Sequence, residues 1–552
     1  MSTTFDYHMS TLLRILARDR RYGRGHINRR VACLTILALL FGAGLALQAS
    51  ALSANDQQLV HLQGSWFVES STPQGAVVQV VTFKQEDRTV KGIWDFLPAW
   101  LPGRIDHVQE KNGVLSFVAT WDGDVESWRG EFHGADTFSM TWIGHDGVPV
   151  QTRIFRRASK EALAEAGSKA PKILATHALP LPVIKKLHSN GLALRPPMGW
   201  NSWNFFKETV DDKSVREIAD ALVKSGLRDA GYTIVTIDDG WQGERDADGV
   251  IQANAKFPDM RALGDYLHSR GLKFGIYSSP GPMTCAGYIG SHGYETEDAR
   301  TFTSWGVDFL KYDWCFASAL YSTRTQMQSV FQKMGAALQR SDRPVIFSVC
   351  EYGKFDVGSW GRDVGGNLWR TSGDSIEGNR WASMSLRFTL DGKPENNGPG
   401  GWNDPDMMLV GIAGMTVDEY RTHMTLWSML AAPLIIGNDV RSMSEEVKKI
   451  LVNRDVLEVD QDALGKQGTS VKKMGTSEIW TRPLSNGATA IAFFNRGELP
   501  ATIHVQWAEL GLDNSQHVRD LWRRTDLGEQ KNGFSADVPR HGSVLLKATA
   551  LP

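Results

Sequence analysis

The sequence has almost no excess of charge of either sign. Its 60 lysines and arginines are matched by 62 aspartates and glutamates, for a formal net charge of −2. Nucleic acids and anionic membrane surfaces attract basic proteins, so the composition gives no electrostatic reason to expect either partner. The 552 residues, 42% of them hydrophobic, suit a globular protein of roughly two to four domains.

Grouped metal ligands are also missing. The 14 histidines form no pair at ligand spacing, and the chain contains no Asp-x-Asp-x-Asp loop of the kind that binds calcium. We therefore expect no metal and no other cofactor.

The N-terminus has the features of an export signal. Several arginines precede an apolar run at about 31–47, and small residues follow it. This order predicts a signal peptide over residues 1–54, cleaved near Ala51 or Ala54. A retained membrane anchor is the alternative, and the run is short for a span of ~20 residues. We expect an exported protein, periplasmic or secreted, with no stable membrane association after signal removal.

Cysteine is scarce, with only four residues in the chain. After signal cleavage Cys285, Cys315 and Cys350 remain, and in an exported protein two of them are expected to pair. Three pairings are possible. Cys285 and Cys315 each follow a predicted strand, which favours a bridge between neighbouring strand-end loops and leaves Cys350 free; three buried thiols are the alternative.

Residues 55–157 read as an all-β accessory domain. Short apolar runs are separated by Gly, Asp and Asn at the ~8 to 12 residue intervals typical of β-meanders, which predicts a small closed or nearly closed β-barrel. The runs lie at 65–68, 77–83, 90–96, 114–121, 127–132, 138–143 and 151–155. Trp94, Trp100 and Trp128 would make it a sugar-binding module if they were exposed; a spacer domain with buried tryptophans is the alternative.

A linker at 158–195, without a sustained amphipathic pattern, leads into a segment of alternating strand and helix patterns at 196–464. Asp211 and Asp212 open one predicted helix, and Gly226 punctuates its end. Eight strands in about 260 residues predict a (β/α)8 TIM barrel. The strand candidates are 197–200, 233–237, 273–277, 309–312, 345–349, 368–370, 401–403 and 434–437.

Polar and aromatic residues occur at the carboxyl end of every predicted strand, the face where such barrels hold their active sites. Two of them, Asp439 and Asp404, are assigned to helix caps. Carboxylates and tryptophans without grouped histidines indicate a carbohydrate site. The strand-end residues are Trp200, Asn201, Trp203, Asp238, Asp239, Trp241, Tyr277, Lys311, Asp313, Cys350, Glu351, Arg370, Asp374, Asp404, Asp406, Asn438 and Asp439.

Lys311 and Asp313 are the most informative pair. Alternate side chains of a strand share a face, so both point the same way. We expect the ammonium to keep Asp313 ionised, as a nucleophilic aspartate requires.

Several long motifs closely resemble the α-galactosidases (melibiases) of glycoside hydrolase family 27. The resemblance runs through the barrel to 461–468 and into the C-terminal segment, and it does not include the first β domain or the linker. The motifs are Pro-Met-Gly-Trp-Asn-Ser-Trp-Asn at 197–204, Ile-Asp-Asp-Gly-Trp at 237–241, Gly-Leu-Lys-Phe-Gly-Ile-Tyr-Ser at 271–278, Lys-Tyr-Asp-Trp-Cys at 311–315 and Trp-Asn-Asp-Pro-Asp-Met at 402–407.

The resemblance implies retaining hydrolysis of terminal α-galactosides, in oligosaccharides or polysaccharide side chains, through a covalent glycosyl-enzyme. Asp313 would be the nucleophile and Asp374 the general acid/base, ~5 to 5.5 Å apart as in other retaining enzymes. We expect the Asp313 charge to favour the protonated form of Asp374, so that it can donate a proton.

The resemblance also implies a galactose pocket. Asp238 and Asp239 match the acid pair for the 4- and 6-hydroxyls, and Trp203 matches the apolar wall. Glu351 faces the 2-position, where a long acid would crowd an N-acetyl group and favour a free hydroxyl. The implied substrate-binding residues are Trp203, Asp238, Asp239, Tyr277, Lys311, Cys350, Glu351, Arg370 and Asp406.

Two kinds of alternative stay open. Within the family, β-L-arabinopyranosidases share most motifs, although the short Asp238 and Asp239 leave room for the hydroxymethyl group of galactose. Outside catalysis, the chain could be a carbohydrate-binding protein on a degenerate barrel, which the presence of both Asp313 and Asp374 disfavours. Tyr352 replaces the Trp of the plant-type Glu-Trp-Gly motif. Residues 465–552 alternate as in the antiparallel β-sandwich that closes these enzymes, and the oligomeric state is not predicted.

Overall fold

The computed structural model describes residues 59–87, 89–97, 103–121, 124–143, 149–168, 177–375, 380–389 and 392–551. The predicted signal segment lies outside these residues. The chain separates into two compact units, one of Met1–Gln63 with Asp87–Thr89 and one of the remaining residues. The described part of the first unit contains a 3-10 turn, Val60–Leu62. The elements below lie almost entirely in the second unit.

The predicted N-terminal barrel is confirmed. Eight antiparallel strands form a closed barrel in which each strand pairs with its neighbour in the chain and the last pairs with the first. Apart from the closing pair of the first and last strands, paired strands are consecutive in the chain, so short loops are enough to connect them. The strands are β1 (Gly64–Thr72), β2 (Gly75–Glu86), β3 (Thr89–Leu97), β4 (Gly103–Lys111), β5 (Val114–Trp121), β6 (Asp124–Phe132), β7 (Thr137–Ile143) and β8 (Pro149–Arg157).

Strand β4 is absent from the predicted set because its pattern is broken. Its buried residues Ile105 and Val108 are three positions apart rather than two. The register shifts between Asp106 and Gln109, and His107 between them has a φ of 54°. This β-bulge lets both apolar side chains be buried without strict alternation.

The sugar-binding hypothesis for this barrel required exposed tryptophans, and the structure contradicts it for two of the three. Trp94 and Trp128 are buried, with ring centroids 4.9 Å apart. The Trp94 indole N–H donates to Gln79 Oε1 at 3.2 Å, so even its polar edge is used internally. Trp100 lies outside the described residues. Trp94 and Trp128 are therefore core residues of the barrel.

The first half of the linker contains a helix, α1 (Lys160–Ser168), although its sequence lacks a sustained amphipathic pattern. Ala166 is buried against Phe67, Val78 and Val80 of the N-terminal barrel. Ala162 and Leu163 pack against the same cluster but are only partly buried, so the helix has a small apolar contact and a weak sequence signal.

The predicted (β/α)8 barrel is confirmed as a parallel sheet of eight strands. Their order is β17-β16-β15-β14-β13-β10-β9-β18, and an isolated parallel bridge from Met408 to Ile436 links the two ends. The strands are β9 (Met198–Asn201), β10 (Ile234–Ile237), β13 (Lys273–Ser278), β14 (Val307–Asp313), β15 (Ile346–Cys350), β16 (Leu368–Arg370), β17 (Trp402–Asp404) and β18 (Leu434–Ile436); a small hairpin, β11 (Gln242–Arg245) with β12 (Ile251–Ala253), follows β10.

The helices of this region surround the sheet and bury their apolar faces in a common core. The helix predicted from Asp211 is confirmed: Asp211 accepts the Ser214 N–H as N-cap, and Gly226 ends the helix with a φ of 83°. The helices are α2 (Trp203–Phe206), α3 (Asp212–Ser225), α4 (Leu227–Ala230), α5 (Met260–Ser269), α6 (Glu295–Ser304), α7 (Arg324–Gln339), α8 (Arg380–Ser385), α9 (Val417–Leu430), α10 (Glu445–Leu451) and α11 (Arg454–Asp460).

The C-terminal segment is antiparallel, as predicted. Six strands form one sheet in the order β19-β20-β21-β26-β23-β24, and β22 pairs with β25. The strands are β19 (Thr469–Met474), β20 (Ser477–Pro483), β21 (Thr489–Asn495), β22 (Ala501–Gln506), β23 (Ser515–Asp520), β24 (Thr525–Lys531), β25 (Gly533–Val538) and β26 (Ser543–Ala550). Across the whole described chain, no helix combines the length and apolar character needed to span a membrane.

Candidate active site

The carboxyl ends of the parallel strands surround an open cleft. Because parallel strands end at one edge of the barrel, residues far apart in sequence meet there. The predicted site residues that line this cleft are Trp203, Asp238, Asp239, Tyr277, Cys285, Lys311, Asp313, Arg370, Asp374 and Asp406.

Lys311 lies between two carboxylates but is closer to the one that was not expected. Its Nζ is 2.9 Å from Asp238 Oδ2 and 3.9 Å from Asp313 Oδ2. Asp238 Oδ2 also accepts the Asn201 side-chain amide at 2.6 Å. Burial alone would lower the pKa of Lys311, but Asp238 and Asp313 raise it above its ordinary value and favour the ammonium form.

Asp239 is a buried carboxylate with one oxygen free. Its Oδ2 accepts the backbone N–H of Ala286 at 2.7 Å. Its Oδ1 is buried and has no hydrogen-bond partner among the described residues. Burial raises the pKa of Asp239 to about 7, although the Ala286 N–H and the Thr284 side chain oppose this rise. A polar ligand group in the cleft would find an unused acceptor here.

Asp313 is held by a residue that is not among the predicted site residues. The Tyr352 hydroxyl donates to Asp313 Oδ1 at 2.6 Å. Burial raises the pKa of Asp313 above its ordinary value, and Lys311 and Tyr352 only partly oppose this rise. Lys311, 3.9 Å away, lowers the pKa of Asp313 in the expected direction, but the effect of burial is larger.

Arg370 connects two carboxylates on the other side of the cleft. Its Nη1 is 3.1 Å from Asp406 Oδ1, and its Nη2 is 3.0 Å from Asp374 Oδ1. Burial opposes ionisation of Asp406, but Arg370 and Arg387 outweigh it and hold the pKa of Asp406 below its ordinary value. The Asp374 side chain is 69% exposed, so water reaches it from the open side of the cleft.

Cys350 and Glu351 are not among the residues that line this cleft. Cys350 lines a second, smaller cavity, which shares Lys311 and Arg370 with the cleft. Glu351 is fully buried, its Oε1 accepts the Gly353 N–H at 3.3 Å, and burial raises its pKa well above the ordinary value. The side chain that reaches Asp313 from this segment is Tyr352.

A disulfide joins Cys285 to Cys315, with their Cα atoms 5.1 Å apart, and Cys350 is a free, buried thiol. The bridge ties the loop after β13 to the loop after β14. The Tyr277 hydroxyl lies 3.5 Å from Cys315 Sγ, so the bridge also packs against the end of β13.

Of the two carboxylates predicted to be helix caps, one is a cap and the other is not. Asp439 caps the 3-10 turn Val440–Ser442 by accepting the Arg441 N–H, as predicted. Asp404 caps no helix: its Oδ1 accepts the Asp406 N–H at 2.9 Å inside a buried turn, and burial raises its pKa to about 6 against the pull of Arg370. The prediction for Asp404 is wrong because the chain turns sharply at Asp406, which has a φ of 101°, instead of starting a helix.

Tyr352 and Ala286 are the contacts that the sequence did not reveal. Asp313 pairs with Cys350 in the register of β14 and β15, so a residue two positions after Cys350 can reach Asp313. Strand order and register would have indicated Tyr352. A backbone donor such as Ala286 leaves no side-chain signal.

The chain matches known families over two segments. The family described as Alpha galactosidase A matches residues 195–462, and the Alpha galactosidase C-terminal beta sandwich domain matches residues 474–548. Alpha-galactosidase 2 of Arabidopsis thaliana is 44% identical over 372 residues, which are 66% of this chain and 92% of that protein.

Solved structures give the same result. α-Galactosidase I from Mortierella vinacea superposes with a TM-score of 0.62 at 35% identity, over 66% of this chain and 98% of its own. A structure from Bacteroides fragilis has a TM-score of 0.61 at 30% identity, over 89% of this chain and 92% of its own. The second match is longer, so it extends beyond the two family domains.

Proposed function

The chain belongs to the α-galactosidases of glycoside hydrolase family 27, and from this membership we propose that it is an exported, retaining exo-glycosidase that removes terminal α-D-galactosyl residues. The observation that carries the proposal is the free, buried Oδ1 of Asp239 in a cleft that also contains Asp313 and Asp374. A sugar hydroxyl would supply the missing partner of Asp239, and the other two carboxyls supply the chemistry.

In the first step Asp313 is the nucleophile. Its carboxylate forms a bond to the anomeric carbon while the bond from that carbon to the leaving oxygen breaks. Asp374 donates its proton to the leaving oxygen, so the aglycone departs as a neutral alcohol. The sugar remains as an ester on Asp313.

In the second step water replaces the aglycone. Asp374, now a carboxylate, takes a proton from water as the water oxygen attacks the anomeric carbon, and the bond to Asp313 breaks. Two inversions give galactose with its α-configuration retained. The exposure of Asp374 to the open side of the cleft supports its access to this water.

The rest of the cleft binds the galactosyl group. We assign Asp238 and Asp239 to the 4- and 6-hydroxyls and Trp203 to the apolar face of the ring; Tyr277, Lys311, Arg370 and Asp406 complete the pocket. The proposed preference for galactose over arabinopyranose depends on Asp238 and Asp239, whose short side chains leave room for the hydroxymethyl group. Glu351 and Cys350 stay proposed partners of the 2-position. Natural substrates would be α-galactoside oligosaccharides or polysaccharide side chains.

The test is hydrolysis of nitrophenyl α-D-galactoside by the wild type, Asp313→Asn and Asp439→Asn. Asp439 carries the same change at another strand end, where it caps a turn outside the cleft. We expect Asp313→Asn to lose at least about a thousandfold in kcat and Asp439→Asn to keep its activity. Proton NMR of the first-formed sugar should show the α-anomer; the β-anomer would refute the retaining mechanism.

The same substrate class separates the alternatives. Faster turnover of the β-L-arabinopyranoside than of the galactoside would make the chain an arabinopyranosidase. Equal turnover by the wild type and Asp313→Asn would refute the assignment of Asp313 as nucleophile, and no turnover by the wild type would leave only a carbohydrate-binding function. Export is tested independently, by N-terminal sequencing of the mature protein: we expect it to begin near residue 52 or 55, after removal of the apolar run.

A further inference from the structure

The tip of the β1–β2 hairpin packs against the mouth of the catalytic barrel. Val77 of β2 is 5% exposed, and it forms a buried apolar cluster with residues of two strand-end loops. The cluster partners are Met283, Cys315 and Phe316. Because Cys315 is two residues after Asp313, this cluster borders the loop that follows the proposed nucleophile.

The hairpin also approaches the backbone of the loop after β13. A Cβ built on Gly287 would lie 2.5 Å from the Cβ of Thr72, and the φ of Gly287 is +84°. Only glycine fits a left-handed backbone pressed this closely against a side chain. At the turn itself, Gln74 Nε2 donates to Glu244 Oε1 at 3.1 Å, which reaches the small hairpin after β10.

The loop that receives this contact is closed on itself and points at the substrate pocket. Met283 and Ile289 form an antiparallel bridge, and the Thr284 N–H donates to the Tyr288 carbonyl at 2.8 Å. Between them, the Ala286 N–H donates to Asp239 Oδ2 at 2.7 Å. A shift of this loop would therefore move the donor that orients Asp239.

We propose that the N-terminal barrel is a positioning domain, whose β1–β2 hairpin holds the 283–289 loop in place so that the Ala286 N–H stays on Asp239. The inference rests on the proposed function, in which Asp239 binds sugar hydroxyls. The disulfide at Cys285 restrains one side of the loop, and the hairpin restrains the other through Val77 and Thr72. Neither Val77 nor Thr72 lines the cleft, so both act through the loop.

The test compares two valine truncations in the full chain. Val77→Ala removes the contact with the loop, while Val80→Ala removes the same atoms from the same strand where Val80 packs near α1. Both variants remove the same apolar atoms from a buried site, so the melting temperatures of the two proteins should fall by similar amounts. For Val77→Ala alone, we expect KM for nitrophenyl α-galactoside to rise about three- to tenfold with kcat changed by less than about twofold, because uniform substrate binding is lost.

A second pair of measurements keeps the test decisive. Val77→Ile, which keeps an apolar side chain at the contact, should leave KM at the wild-type value. If Val77→Ala does not fold, Thr72→Ala is a milder change at the same contact and should also raise KM. Galactose binding followed by calorimetry should weaken in parallel with KM. The proposal is overturned if Val77→Ala and Thr72→Ala match Val80→Ala in KM and in galactose affinity.

Failure of this inference can be told from failure of the proposed function. If the wild type does not hydrolyse the galactoside, the function is wrong. If the wild type is active and the hairpin variants keep its KM, the function stands and the N-terminal barrel is only a spacer.

Discussion

Removing the Tyr352 hydroxyl should shift the pH dependence of catalysis. The hydroxyl donates to Asp313 Oδ1 at 2.6 Å, while the other carboxylate oxygen is 3.9 Å from Lys311 Nζ. Tyr352→Phe keeps the ring and deletes this donor. Because the bond stabilises the ionised form, its loss raises the pKa of Asp313 beyond the rise that burial already causes.

The size of the shift follows from the strength of the bond. A hydrogen bond to a charged group contributes about 1.5 to 3 kcal/mol, and each pKa unit corresponds to about 1.4 kcal/mol, so the upper range is about one to two units. Tyr352 is half-buried, so water can replace part of the lost bond. We expect a shift of about one unit.

The assay is the pH profile of kcat/KM, which reports groups of the free enzyme. Asp313 must be ionised to attack, so activity is lost as pH falls through its pKa, and a raised pKa moves the acidic limb to higher pH. Tyr266→Phe is the matched control, because Tyr266 donates to Asp220 Oδ2 at 2.9 Å outside the cleft. An acidic limb that coincides in Tyr352→Phe and the wild type would refute the role given to Tyr352.

Two further predictions concern stability. The Cys285–Cys315 disulfide closes a loop with a sequence separation of 30, so replacing both cysteines by alanine should lower the free energy of unfolding by about 3 to 4 kcal/mol in urea titrations; a loss below about 1 kcal/mol would mean that packing alone holds the loop. Burial raises the pKa of Asp460 to about 8, against about 3.9 in an unfolded chain. Its contribution to stability is therefore present below pH ~4 and lost as pH rises towards ~8. Asp460→Asn should flatten the fall in melting temperature between these pH values, and parallel curves for the two proteins would contradict this.

Much of the fold could be predicted from the sequence, because the patterns that mark strands and helix ends involve residues close together in the chain. Strand runs and the Asp211 cap depend on residues within one or two turns of each other, and both match the structure. Strand β4 was not readable, because the bulge at His107 breaks the alternation that marks a strand. The helix α1 could not be predicted from the sequence either, since its contact with the N-terminal barrel consists of buried Ala166 and the partly buried Ala162 and Leu163.

The sequence predicted the site residues that lie at the carboxyl ends of the strands. Asp238, Asp239, Lys311, Asp313 and Arg370 line one cleft because parallel strands end at one edge of the barrel. The charge states of these side chains could not be predicted from the sequence. The pKa of Asp313 depends on burial, which competes with Lys311 and is a property of the folded molecule.

The family, the order of the domains and the carboxylates at the barrel mouth could be inferred from the chain alone, because residues close together in sequence carry these signals. Which groups those carboxylates contact depends on the folded molecule. Tyr352 reaches Asp313 through the register of two strands. Val77 meets Met283 across more than two hundred residues of chain. Contacts of this kind depend on the packing of whole domains, and no local pattern encodes them.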